Sequence, residues 1–361
     1  MPPESEPIVC DALVLGGGPA GAGFALRATE LGLRVVLVER HGYDTARPGE
    51  HIAGSARARL AALGVPAGLC RFSPGVLSFW HGAVPSFRSY AGGPGPPGFN
   101  ADRARLDAAL FAAAGLRGAR TILGAMEHIA QQGTQWHAVV RRTADARVCR
   151  IRAMLVIDAT GRRAAFLHSI GVARCRIGDQ FALVTWIAPS PGLMEAGSPL
   201  MIGATRDSWW SLTDAGDGML SLTVHASRGA LRAAGATIAE ALPLTLRQAP
   251  YLRERLRRLG AQIVGQAAYA VFPSRAEAMA GEGWLAVGDA AIAFDPISGL
   301  GFTKALETAE RAAELAAAGP GASALRALYA DALADQFETH LRRRADAYAE
   351  ANDALARTIA A

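Results

Sequence analysis

The stretch Ala12-Leu13-Val14-Leu15-Gly16-Gly17-Gly18-Pro19-Ala20-Gly21 decides how the rest of this chain is read. An apolar run enters a glycine turn, and a helical pattern leaves it. Gly16 permits a tight turn out of a strand, Gly18 lets backbone approach a pyrophosphate, and Gly21 lets the helix pack against the sheet. Pro19 and Ala20 belong to the same phosphate-binding turn, where a helix N-terminus offers free N–H groups and partial positive charge. Gly32 is placed to end that helix. The apolar run Leu33 to Val38 then reads as a strand buried on both faces of a parallel sheet. It closes on Glu39, eighteen residues after Gly21, where an acid can accept hydrogen bonds from both hydroxyls of an adenosine ribose. Together these features read as a dinucleotide-binding βαβ unit.

A second glycine-bearing segment lies near the other end. Val287-Gly288-Asp289 follows the apolar Trp284-Leu285-Ala286, and Asp295-Pro296-Ile297-Ser298-Gly299-Leu300-Gly301 comes soon after. Asp289, at the end of a strand, can reach a polyol hydroxyl such as those of a ribitol chain. Pro296 fixes the backbone, while Gly299 and Gly301 on either side of Leu300 allow close contact with a flat ring. A helix from about Phe302 would aim its N-terminus at negative charge on a reduced flavin. The two segments read as one FAD site assembled from both ends of the chain.

The bulk properties fit a folded globular protein. The chain has 361 residues, 51% of them hydrophobic, and a formal net charge of +5. Lys304 is the sole lysine; every other basic side chain besides histidine is arginine. The group Arg342-Arg343-Arg344 reads as the solvated face of a C-terminal helix. No nucleic-acid-binding motif accompanies it, so no nucleic-acid partner is expected. Cys10, Cys70, Cys149 and Cys175 lack metal-ligand spacing, which argues for reduced thiols and against a metal site. The first seven residues have no basic region, and the apolar stretch 12–26 is too short and glycine-rich for a bilayer. A cytoplasmic protein without stable membrane insertion is expected.

The expected fold class is α/β: a Rossmann-like FAD-binding domain with an inserted α+β substrate domain, built on an antiparallel sheet, and C-terminal helices. Residues 1–176 and 265–361 form the two parts of the FAD-binding domain, and 177–264 the insertion. In the insertion, Trp209 and Trp210 adjoin on a strand, so one faces the core and the other faces away. Both are candidate substrate contacts. His51 and His81 are possible acid–base groups, although a lone histidine in a polar loop is more often solvated. No catalytic residue is assigned.

Taken together, GGGPAG, Glu39-Arg40, Pro48-Gly49-Glu50, Asp102 to Asp107, Asp158-Ala159-Thr160-Gly161, Gly288-Asp289-Ala290-Ala291 and Asp295-Pro296 resemble the class A FAD-dependent monooxygenases of the hydroxybenzoate-hydroxylase fold. The likeness lies in the branch near flavin-dependent halogenases and geranylgeranyl reductases. It implies that Arg40 and Arg103 contact FAD and that Glu50 lies beside the isoalloxazine ring. It also implies oxygen insertion into an electron-rich substrate through a flavin hydroperoxide. Halogenases of this branch resemble one another in an N-terminal-half lysine, which this chain lacks. Residues 78–82 and 208–210 are most similar to enzymes that hydroxylate peptide-borne aromatic side chains. No second dinucleotide fingerprint is present, so NAD(P)H binds transiently or a separate flavin reductase supplies electrons. A flavin reductase of isoprenoid double bonds and a non-catalytic flavoprotein scaffold remain alternatives.

Overall fold

The strand Ile8–Leu15 sits in the middle of a parallel sheet because its second half, Ala12 to Leu15, has no polar side chain to offer solvent. It pairs with Val35–Glu39 on one side and Val148–Asp158 on the other. Arg120–Gln132 continues the sheet beyond Val35–Glu39, and Trp284–Ala286 continues it beyond Val148–Asp158, all parallel. Taken by position in the chain, these five strands lie in the order third, second, first, fourth, fifth. Leu13, Val14, Leu37, Val156 and Ile157 are fully buried, as strands covered on both faces require. Antiparallel Gln135–Arg142 joins the extensions of the third and fourth of them. The computed structural model describes residues 6–45, 47–80, 84–93, 95–194, 197–319 and 323–360.

Helix Pro19–Glu30 packs against helix Gly301–Ala317, and small residues let them approach closely. A Cβ added at Gly23 would lie 3.2 Å from Leu306 and 3.4 Å from Ala309. Ala20 and Ala305 both border Gly288, while Arg27 reaches Glu314 at 3.3 Å. These contacts advance in the same sense along both helices, so the helices are parallel and their N-termini share one end. Helix Arg103–Leu116 lies on the other flank of Pro19–Glu30. Its N-cap Asp102 accepts from the N–H groups of Ala104 and Arg105 at 2.9 and 3.2 Å.

The second layer is a seven-stranded sheet ordered Gln262–Ala270, Gln180–Ala188, Met219–Ser227, Trp209–Gly216, Leu200–Ala204, Gly75–Phe79, Ser86–Ser89. Only Leu200–Ala204 and Gly75–Phe79 pair in parallel. The sheet is therefore wider than residues 177–264: it recruits two strands from the segment before, and its edge strand straddles 264. Composition could not show this, because strand pairing across the sheet sets its limits. One face packs Leu183, Leu212, Leu222 and Val224 against Leu231, Leu242 and Leu252 of three short helices. The opposite face turns toward the layer that holds the parallel sheet. There Trp186 donates its ring N–H to the Arg47 carbonyl at 3.3 Å, and Gly49 abuts Ala215 and Ser221. The C-terminal helix Ser323–Ala360 lies against Ala280–Gly281 and the turn Pro296–Ser298. Among the described residues no helix is long and apolar enough to cross a membrane.

Candidate cofactor and substrate site

The first glycine turn is drawn tight by contacts that exclude side chains. Gly16 has φ +105°, and a Cβ there would meet the Ala159 carbonyl oxygen at 2.4 Å. A Cβ on Gly21 would lie 1.8 Å from the Gly16 oxygen. Glu39 and Tyr43 pin the turn from the second strand: the Gly17 N–H donates to Glu39 Oε2 at 2.6 Å, and the Tyr43 hydroxyl donates to the Gly17 carbonyl at 2.7 Å. Glu39 also accepts from the His41 N–H at 3.0 Å, while Arg40 is exposed. Gly18 differs from its neighbours. Its backbone is ordinary extended, and an added Cβ would find no atom within 4 Å. It caps the helix without a side-chain acceptor, so the first N–H groups after Pro19 stay open to a ligand.

The second segment comes directly against the first. Gly288 has φ +57°, and a Cβ on it would lie 2.8 Å from that of Ala20. Asp289, one-third exposed, accepts from Lys304 Nζ at 2.5 Å and stands 3.5 Å from Arg162 Nε. Lys304 is 1% exposed and also donates to the Ile292 carbonyl. Asp295 is buried, pairs with Arg344 at 2.8 Å, and caps the turn Pro296–Ser298 by accepting from the Ile297 N–H at 3.1 Å. Its own N–H donates to His340 Nε2 at 2.9 Å. Gly299, left-handed at φ +61°, and Gly301 both have empty space where a Cβ would stand. Leu300 lies between them, and Thr303 Oγ1 in the following first turn is buried without a partner. Gly18, Gly299 and Gly301 thus form open places at a shared helix end.

Arg103 and Glu50 are joined. Arg103 donates to Glu50 and, through Nε and Nη2, to Asp107 at 3.2 and 3.1 Å. Asp107 is fully buried and also takes Arg47 at 2.5 Å. Burial opposes the charge on Arg103, but Asp107 and Glu50 hold it above the ordinary arginine range. Its guanidinium lies 5.3 Å over the Phe302 ring, which ties it to the C-terminal loop. Arg103 is thus held mostly buried in this network, and Glu50 opens the short strand Glu50–Ile52.

On the sheet face toward this cleft stands Trp209. It stacks on His225 with ring centroids 3.7 Å apart and meets Trp80 edge-on at 6.0 Å. Its ring N–H donates to the Tyr348 hydroxyl at 3.0 Å. Ile297 of the second segment packs against the same group. His225 is buried, its Nδ1 has no partner, and burial pushes its pKa down to about 3, so it is neutral. Ser221 Oγ, on the same face, is also buried and unpartnered. Trp210 corrects an expectation: strand alternation turns it the other way, 1% exposed beside Phe79 in the helix-covered core, where it cannot touch a ligand in this cleft. A separate cavity of about 190 Å³ opens on that far side between Leu77, Met201, Leu212, Tyr251 and Leu259. His51 is not solvated either; its ring nitrogens meet Asn100 and Tyr90 at 2.8 and 2.9 Å. His81 lies outside the described residues.

Sequence reasoning missed Lys304, His225 and the trio His340, Arg344 and Tyr348. The trio had a readable signal, since four-residue spacing puts all three on one helix face. Arg344, expected on a solvated face, is instead mostly buried against Asp295. His225 had no signal before its strand was paired opposite Trp209.

No family model matches the chain. It is 26% identical over 316 residues to LodB of Marinomonas mediterranea, named as an FAD-dependent oxidoreductase, covering 83% of this chain and 82% of LodB. It is also 26% identical over 326 residues to menaquinone reductase of Mycobacterium tuberculosis, covering 84% and 76%. Among solved structures, flavin-dependent brominase Bmp2 superposes with TM-score 0.77 at 22% identity, over 90% of this chain and 83% of Bmp2. The peptidyl tryptophan dihydroxylase QhpG gives TM-score 0.74 at 21% identity, over 96% and 76%. The chain has the flavin-enzyme fold. Within that fold its own residues suit a flavin dinucleotide: glycines leave room where backbone must approach, and two helix N-termini converge.

Proposed function

We propose that this chain is an FAD-dependent oxidoreductase, and more closely a monooxygenase that hydroxylates an aromatic or otherwise electron-rich substrate. The observation that carries the reading is the open glycine cradle, Gly18 with Gly299 and Gly301, at the shared end of two parallel helices and beside an aromatic wall. In this reading Gly18, Pro19 and Ala20 receive the diphosphate and Glu39 the adenosine ribose. Asp289 takes a ribitol hydroxyl, and Gly299-Leu300-Gly301 lies along the flavin ring. When bound, FAD supplies two-electron redox chemistry and reaction with oxygen. The helix Gly301–Ala317 stabilises negative charge at its N-terminus. Arg103, fixed by Glu50 and Asp107, adds a permanent positive charge beside Phe302. Trp209, 7% exposed and held by Tyr348 and His225, forms part of a rigid aromatic wall beside which an aromatic substrate would lie away from water.

The name of LodB supports the cofactor, and that of QhpG supports an aromatic, peptide-borne substrate for an enzyme of this fold. Electrons come from NAD(P)H or from a separate flavin reductase. Halogenation is disfavoured because Lys304 is buried and committed to Asp289 and Ile292, leaving no free amine in the cleft. A second reading, reduction of an isoprenoid or quinone acceptor, is favoured by the likeness to menaquinone reductase.

An absorbance spectrum of purified protein, anaerobic titration with NADH, NADPH or a flavin reductase, and then exposure to air test these readings in turn. The monooxygenase reading expects a flavin spectrum, bleaching by one donor, and hydrogen peroxide release in air without substrate. Absence of bound flavin even after FAD is added rejects the oxidoreductase. Reoxidation by a menaquinone analogue much faster than by air selects the reductase instead.

A further inference from the structure

Lys304 stands apart from every other charged group in this protein. It is the single lysine in 361 residues, it is 1% exposed, and it lies in the first turns of the helix that ends the proposed flavin loop. A buried ammonium carries a large desolvation cost unless it is paired and hydrogen-bonded. Lys304 meets that demand with Asp289 Oδ1, the Ile292 carbonyl and the Phe294 ring, 4.8 Å from the ammonium.

The two arginines nearby are occupied differently. Arg162 donates to the Phe272 and Phe294 carbonyls at 2.7 and 2.5 Å, and Arg174 to the Asp289 carbonyl and Ser274 hydroxyl at 2.9 Å each, and to the Ala290 carbonyl. Both hold backbone. Among the described residues only Lys304 reaches the Asp289 carboxylate at hydrogen-bond distance. One carboxylate oxygen is thereby tied from the core side, yet the side chain stays 32% exposed and, among the described residues, the cation nearest Oδ2 is Arg162 at 3.5 Å.

We propose that Lys304 is a positioning residue for the cofactor: it keeps Asp289 ionised and turned so that Oδ2 faces the cleft and accepts a hydroxyl of the FAD ribitol chain. This rests on the FAD reading above. A lysine that merely filled space would be replaceable by methionine. A lysine that aims Asp289 acts only through Asp289.

The test is FAD affinity of the full-length apo protein, measured for wild type, Asp289→Asn, Lys304→Met and the double variant, with thermal unfolding of each. Each single variant should weaken FAD binding about tenfold or more, the scale of a charge-assisted hydrogen bond. Lys304→Met should add nothing once Asp289 is already Asn. Wild-type affinity in Lys304→Met or in Asp289→Asn, or an equal further loss when Lys304→Met is added to Asp289→Asn, overturns the proposal. If Lys304→Met alone does not fold, Asp289→Asn against the double variant still decides: the first leaves the buried Lys304 ammonium without its carboxylate and the second is neutral at both positions, so the double variant should bind FAD no more weakly than Asp289→Asn. A wild-type protein that binds no FAD fails the oxidoreductase reading itself, a result distinct from every variant outcome.

Discussion

Replacing Gly18 by valine separates the cradle from the fold. The backbone at Gly18, φ −74° and ψ −173°, suits any L-residue, and a Cβ there meets nothing within 4 Å. Losing glycine at a helix N-cap costs about 0.5–1 kcal/mol. Restricting the unfolded chain returns roughly 0.4–1 kcal/mol. The two nearly cancel, so the apo protein should keep its melting temperature to within about 3 °C. FAD affinity should fall at least about tenfold, because the side chain occupies the space through which a diphosphate reaches the helix N–H groups. Gly21→Ala is the opposite case. Its Cβ would stand 1.8 Å from the Gly16 oxygen, so turn and helix must separate, and a loss of about 3 kcal/mol or more is expected. Circular-dichroism melts and quenching of FAD fluorescence read the two effects separately. Gly18→Val protein that binds FAD as tightly as wild type refutes the placement of the diphosphate.

Other perturbations follow from the substrate side and the C-terminal helix. His225 and His340 have pKa values pushed down to about 3 and about 4, chiefly by burial. Their unfolded-state values near 6.5 mean that the unfolded chain takes up protons first as pH falls. Stability is therefore full above about pH 6.5 and declines toward pH 4 by about 1.4 kcal/mol per pH unit for each histidine. His225→Phe should remove one such contribution in urea titrations across that range, and an unchanged slope would show that His225 is not held neutral. Arg344→Met leaves the Asp295 carboxylate buried without its cation and should cost about 3–5 kcal/mol, with earlier proteolysis of the C-terminal helix. A melt unaltered from wild type would count against that ion pair. Trp210→Ala should cost about 3–5 kcal/mol by emptying a core position. Trp209→Phe should melt nearer to wild type but weaken binding of an indole or phenol probe, read as a perturbed flavin spectrum; equal effects at both positions would contradict the two-faced strand.

The parallel sheet and both glycine segments were legible because each announces itself locally. Gly16 and Gly21 are demanded by contacts of 2.4 and 1.8 Å within a few residues or on the adjoining strand. Trp209 and Trp210 were separable in principle by alternation alone, and only the pairing with Met219–Ser227 shows which face each takes. The width of the second sheet was not legible, because Gly75–Phe79 joins it through a parallel pairing with Leu200–Ala204 more than a hundred residues later. Arg342-Arg343-Arg344 reads as a uniform basic run, yet the helix turns Arg344 alone into a buried pair with Asp295. A charge run does not reveal which member has a partner across the fold.

Strand pairing and helix packing bring the two chain ends together, and the charges gathered there set what the place can hold. Lys304, Arg162 and Arg174 surround Asp289, and Asp158 lies within electrostatic reach of Arg174. Around the Asp289 carboxylate the cations are in excess, which leaves positive potential at the base of the cleft. Two helix N-termini at the same end add roughly half a charge each. In the proposed reading the diphosphate and the reduced flavin are both anionic, so this field would favour the loaded site and, within it, the reduced ring. Gly18, Gly299 and Gly301 leave backbone uncovered at the cradle, while Lys304, Arg162 and Arg174 stand around Asp289 and Arg103 lies over the Phe302 ring. Room for close approach and positive potential make conflicting demands on one surface, and the fold meets them by putting glycine in front and the cations behind.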